Sequence, residues 1–262
     1  MVYKKGIAMR KFPENDSLLK ESGSNRPLNV RMTLRDVLYV SYALPAGRMR
    51  NLIPDNLSLA TAGDDMSFIS IVALHSTQVR LNLLSFLRFK YYQLNIRTYV
   101  KDPVSGKHAV YFLKSGVTSR FISLVTRMSG IPWQFIDLVT EINTQNEKDY
   151  FLASGNWEGR FSIKAQMLLN EAEETPFFEN RETAVDFLVR PLIGFVGNNR
   201  RLGRFTIQHP KVEPQSCTLQ ELNFPLFASM GTVDELDKPH SVFYLPTADF
   251  SIYLPPRRIK YT

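Results

Sequence analysis

A mostly β fold with a few short helices, of a kind that suits a barrel, is what this sequence predicts, and three observations carry it. Several runs alternate in polarity at every second residue, Gly, Pro, Asn and Asp punctuate those runs, and Phe and Tyr are scattered along the chain instead of clustered. The 262 residues, 44% of them hydrophobic, suffice for one well-buried core. That length is compatible with a single large β-barrel domain as well as with two smaller units, and residues 30–262 are read as the single barrel domain. Residues 1–29, polar and rich in turn formers such as Pro13, Gly23 and Pro27, are read as a flexible extension.

Taken in order, Thr33 to Ala43 reads as a first strand and Pro45 to Ile53 as a short helix ended by Pro54-Asp55-Asn56. Leu57 to Thr61 is a short strand, and Met66 to Val79 a longer one whose run Phe68 to Leu74 is apolar on both faces, which makes it central. In the stretch from Leu94 to Phe135, Leu94, Ile96, Thr98 and Val100 share one strand face while Asn95, Arg97 and Tyr99 share the other. Pro103, Ser105 and Gly106 turn the chain, so His108 to Lys114 folds back antiparallel. Ser115, Gly116 and Thr118 are read as loop and N-cap for a helix carrying Phe121, Ile122, Leu124, Val125 and Met128, stopped at Gly130 and Pro132.

Further on, Phe135 to Asn143 and Asp149 to Ser154 form a hairpin, Gly159 to Leu169 a strand with one wet face, and Asn180 or Thr183 caps a helix running to Val189. Gly194 to Gly203 lacks both the Walker lysine and the dinucleotide glycine spacing, so it reads as a hairpin. Arg204 to Pro210, Leu219 to Leu226, Ser241 to Leu245 and Phe250 to Leu254 complete the strands.

Asn95-x-Arg97-Thr98-Tyr99-Val100, the aromatic strand Val110-Tyr111-Phe112, the short helix and Gly130-Ile131-Pro132-Trp133 together resemble the YqjF-like family of uncharacterised proteins, within the acetoacetate decarboxylase-like superfamily. The resemblance spans about Thr33 to Pro256, weaker outside its centre. It implies a cone-shaped, mostly antiparallel barrel around a small-molecule cavity. In the decarboxylase branch, Schiff-base lysines directly follow a Gly-x-Pro at the end of the equivalent helix. Here Trp133 and Gln134 follow instead, and neither forms an imine. Decarboxylase activity is not carried over.

The resemblance sets Arg97 and Tyr99 beside the cavity. A cation and a phenol pointing inward would meet a carboxylate or enolate, whereas pointing outward Arg97 would pair with Asp102 or Asp137. Trp133 and Tyr111 are candidate cavity walls, and His209 ends the late strand. Lys114, alternating with Val110 and Phe112, is either a buried amine with a lowered pKa or a surface lysine. Two functions from different classes follow: a binder of a small acidic or oxo-containing organic molecule near Arg97, Tyr99, Tyr111, Trp133 and His209, or a lyase or hydratase using Lys114 as a relocated nucleophile.

Composition excludes other classes. His75, His108, His209 and His240 form no local ligand pair and Cys217 is the only cysteine, so neither metal nor cofactor is expected. No Gly-x-Ser-x-Gly elbow positions a nucleophile. The net charge of +7 gathers largely at the chain ends without a nucleic-acid-binding motif. No apolar run is long enough to span a bilayer. A small molecule is thus the expected partner, nucleic acid and membrane are not, a homo-oligomer is left open, and cytoplasmic residence is the default for a start without a signal-type apolar stretch.

Overall fold

A computed structural model describes residues 29–82, 86, 88–146, 148–168, 175–234 and 237–259. The extension expected over residues 1–29 therefore lies outside the described residues except for Asn29. The first half of the chain runs β1 (Val30–Pro45), α1 (Ala46–Met49), β2 (Ser58–Leu59), β3 (Met66–Leu81), β4 (Phe89–Lys101), β5 (His108–Val117) and α2 (Arg120–Met128). Next come β6 (Gln134–Phe135), β7 (Asp137–Gln145), β8 (Lys148–Asn156), β9 (Arg160–Met167) and α3 (Arg181–Leu188). The end is β10 (Ile193–Asn198), β11 (Arg201–Gln208), β12 (Gln215–Asn223), α4 (Pro225–Met230) and β13 (Ser241–Arg258).

Seven strands close a barrel in the order β1-β3-β4-β5-β10-β11-β13, with β13 returning to β1 at Val40↔Val242 and neighbouring pairs. Its pairings are antiparallel except β5 with β10, where Gly194 lies beside Val110. The long β13 also pairs β12 and so starts a second sheet, β12-β9-β8-β7. That sheet lies on the outside of the barrel. Leu38, Val40, Ile69, Ile71, Leu94 and Ile96 on one side share a core with Leu138, Phe151, Phe161, Ile163 and Ala165 on the other.

The double burial explains why Phe68 to Leu74 shows no alternation: one face meets the lumen and the other meets the second sheet. Burying such side chains is worth about 1.5–3 kcal/mol each, so this shared layer is a principal source of stability.

Bulges decide which residues face inward. In β1, Leu34 and Tyr39 both line the lumen although their parity differs, because the register slips between Arg35 and Leu38, where Asp36 has φ +49°. The same happens in β3 between Leu74 and Val79, across Gln78 at φ +51°. In β5 the extra residue is Leu113: Ile96 pairs with Lys114 but Arg97 pairs with Phe112. Val110 and Phe112 face in, Val117 faces in, and Lys114 is turned outward. The expectation that Lys114 shares a face with Phe112 is corrected by this one residue.

The helices follow their caps. The N-cap of α2 is Ser119, whose side chain accepts from the Ile122 N–H, while Ser115 and Gly116 belong to β5. In α3, Asn180 and Thr183 form a reciprocal capping box. The helix α4, begun by Pro225 and ended by Gly231 at φ +62°, replaces the tail of the strand expected over Leu219 to Leu226. Ser241 to Leu254 is one continuous strand, not two. No helix among the described residues is long and apolar enough to cross a membrane.

Candidate functional site

The barrel encloses a cavity of about 300 Å³. Its walls are overwhelmingly apolar, with Val72 and Leu74 from β3, Phe205 and Ile207 from β11, and Phe250 and Ile252 from β13. Phe121, Ile122 and Val125 of α2 form one side, joined by Ile131 and Trp133 just beyond the Pro132 corner. The fixed φ of Pro132 and the left-handed Gly130 at φ +82° end the helix and return Trp133 to the barrel.

Half of the polar groups come from a single strand. β4 carries Gln93, Asn95 and Arg97 inward at every second residue, while Tyr39 of β1 and Thr126 and Ser129 at the end of α2 supply the others. Gln93 Nε2 donates to Asn95 Oδ1 at 2.8 Å.

Arg97 is buried, 9% exposed, and stacks between aromatic rings, with its guanidinium carbon 5.2 Å from the Tyr39 centroid and 5.6 Å from that of Tyr99. Its Nη2 donates to Leu188 O at 2.5 Å, and the Tyr99 hydroxyl donates to the same carbonyl at 2.8 Å. Leu188 ends α3, so these two donors satisfy a carbonyl that the helix leaves unpaired. Arg97 Nε is buried with no partner, and no carboxylate among the described residues pairs with this guanidinium. Burial pushes the Tyr39 hydroxyl up to about 12, with Arg97 pulling the other way.

The remaining candidates scatter. Tyr99 lies beneath Arg97 as its support and also meets Ser70 Oγ at 2.8 Å. Trp133 lines the cavity. Tyr111 does not: it sits on the outer side of β5 and donates to Gly197 O at 2.6 Å. His209 lies behind the wall, its ring centroid 4.6 Å from that of Phe250. Burial pushes the His209 pKa below the ordinary histidine value, so the ring is neutral; Nδ1–H donates to Pro210 O and the buried Nε2 lone pair has no partner. Lys114 points away from the cavity and binds both oxygens of Glu158 at 2.8 Å. No lysine among the described residues lines the cavity.

Asp102, considered from sequence as a partner for Arg97, is taken by Arg204, whose Nη2 donates to Asp102 Oδ2 at 2.9 Å. Tyr39, Gln93 and the α2 wall were not singled out by sequence reasoning. The signal for Gln93 was its parity with Arg97 in the run from Tyr91 to Tyr99.

Comparisons with known proteins agree with this architecture. The DUF2071 family, described as "Uncharacterized conserved protein (COG2071)", matches residues 31–249. A search of curated protein sequences found no match. Among solved structures, the enduracididine biosynthesis enzyme MppR with HEPES buffer bound aligns with a TM-score of 0.62 at 14% identity over 90% of each chain. An acetoacetate decarboxylase-like enzyme from Sphingomonas wittichii RW1 gives 0.59 at 12% identity over 90% of this chain and 95% of that one. Acetoacetate decarboxylase from Legionella pneumophila subsp. pneumophila str. Philadelphia 1 gives 0.57 at 8% identity over 98% of both. The chain therefore belongs to the DUF2071 family and has the acetoacetate decarboxylase-like fold.

Proposed function

We propose that this barrel binds a small organic acid with an apolar body, its carboxylate held by Arg97. One observation carries the reading: a buried guanidinium at the edge of an apolar cavity with an unengaged Nε and no carboxylate partner among the described residues. Buried charges are ordinarily paired, because an isolated one loses its hydration without return. A ligand carboxylate would supply the missing charge and accept from Nε, and the apolar walls would take the rest of the molecule. A cavity near 300 Å³ lies at the small end of ligand sites. MppR, a neighbour in fold, has been solved in complex with pyruvate, itself a small oxo acid.

Binding is favoured over lyase chemistry because imine formation needs an unprotonated amine next to the ligand. Lys114, the relocated nucleophile considered from sequence, is instead ion-paired with Glu158 outside the cavity.

Titration calorimetry with octanoate, phenylpropanoate and pyruvate against neutral octanol tests the reading. Acids should bind more tightly than the alcohol, and Arg97→Met should weaken octanoate by about thirtyfold, the usual worth of a charged hydrogen bond, while leaving octanol within about twofold. Octanol binding as tightly as octanoate to the wild-type chain would refute it. So would borohydride reduction in the presence of pyruvate that leaves a covalent adduct on any lysine.

A further inference from the structure

Helix α2 has two apolar faces. One lines the cavity through Ile122 and Val125. The other presents Leu124 and Met128 to solvent at 58% and 81% exposure, and Phe121, 51% exposed, lies at the border where it both lines the cavity and meets solvent. Large apolar side chains grouped on one exposed helix face mark an interaction surface more often than chance. The patch continues past the helix: Phe121 stacks on Phe89 with centroids 5.4 Å apart, and exposed Phe135 lies under the guanidinium of Arg120 at 4.9 Å.

The charge on the helix and beside Phe89 has one sign. Arg120 and Arg127 are exposed on the helix, and Arg88 and Lys90 are exposed on either side of Phe89. Between Asp65 and Asp137 the sole acidic residue is Asp102, which is buried and engaged by Arg204. An apolar helix face rimmed by arginine and lysine, whose only carboxylate neighbour along these segments is Asp137 two residues beyond Phe135, complements an anionic lipid surface. A second copy of the chain would set these cations against themselves across a two-fold axis. The segment before Asn29 carries more Lys and Arg than Asp and Glu, so it is of the wrong sign as well.

We infer that the exposed face of α2 docks the protein on anionic membrane, setting the α2 wall of the cavity against the bilayer. The expectation of no membrane partner came from the length of apolar runs, which bears on spanning and not on surface attachment. The inference is independent of the Arg97 reading: Arg97→Met should bind vesicles like the wild-type chain whether or not acids bind.

Co-sedimentation of the full chain with vesicles of phosphatidylcholine alone, or with about a third phosphatidylserine, tests it. Binding should require phosphatidylserine and fall as salt is raised. Arg120→Gln/Arg127→Gln should lower it by roughly thirtyfold, and Leu124→Gln/Met128→Gln at least tenfold, with thermal midpoints unchanged because all four side chains are exposed. Three results would overturn the inference: no preference for the anionic vesicles, vesicle binding that both double variants leave intact, or light scattering that shows a dimer which Leu124→Gln/Met128→Gln turns into a monomer.

Discussion

Arg97 and Arg204 are buried to almost the same extent, 9% and 8% exposed, yet their surroundings differ in kind. Arg204 meets the fully buried side-chain carboxylate of Asp102, which also accepts from Ser105 Oγ and Val104 N at the β4–β5 turn. Burial alone would push the Asp102 pKa up, but the hydrogen bonds from Arg204 and Ser105 outweigh it and hold the carboxyl below its usual value. Such a group adds stability above its unfolded pKa and loses it as pH falls through its lower folded value. Asp102→Asn should therefore cost about 3 kcal/mol at neutral pH and flatten the acid limb of the stability curve below the usual carboxylate range, measured by urea denaturation across pH. Arg97 has no such neighbour. What surrounds it is two aromatic faces, one helix-terminal carbonyl and an apolar hollow.

Among the elements, the β10–β11 hairpin shows how a single backbone position holds the wall. Gly197 has φ +111°, a region closed to side chains, and a Cβ there would collide with the carbonyl of Arg201 across the hairpin. The same residue's carbonyl receives the Tyr111 hydroxyl from β5. Gly197→Ala should lower stability by about 3 kcal/mol, read as a drop in denaturation midpoint, and should loosen the seam where β5 and β10 run parallel. The hairpin was legible in the sequence because Gly, Asn and Arg cluster between two apolar runs. Helix α4 was less so: Pro225 was its only strong start signal, and six residues are too few to establish a period.

Across the whole molecule, the four histidines behave alike although they lie far apart in the sequence. Burial lowers the pKa of His75, His108, His209 and His240, that of His108 to about 4. Each is neutral in the folded protein and protonates more readily once unfolded, so stability is intact above the ordinary histidine value and declines as pH falls below it. Urea midpoints should therefore drop between about pH 7 and pH 5. His108→Gln, which keeps a donor for Phe187 O, should remove about one proton from that slope; an unchanged slope would mean that His108 is charged in the folded chain.

By itself the sequence determined what depends on near neighbours: the β4–β5 hairpin, the extent of α2 and its stop at Gly130-Ile131-Pro132, and the absence of a lysine after that proline. These follow from turn chemistry and side-chain period within a few residues. Only the tertiary structure decided which way the chemistry points. One extra residue, Leu113, turned Lys114 out of the lumen, and slips at Asp36 and Gln78 let residues of opposite parity share it. Arg97 meets a carbonyl 91 residues away, a contact that exists only because barrel closure brings the end of α3 beneath β4. A bulge changes the facing of every residue beyond it, and closure joins segments with no local relation, so no pattern read along the chain contains either result.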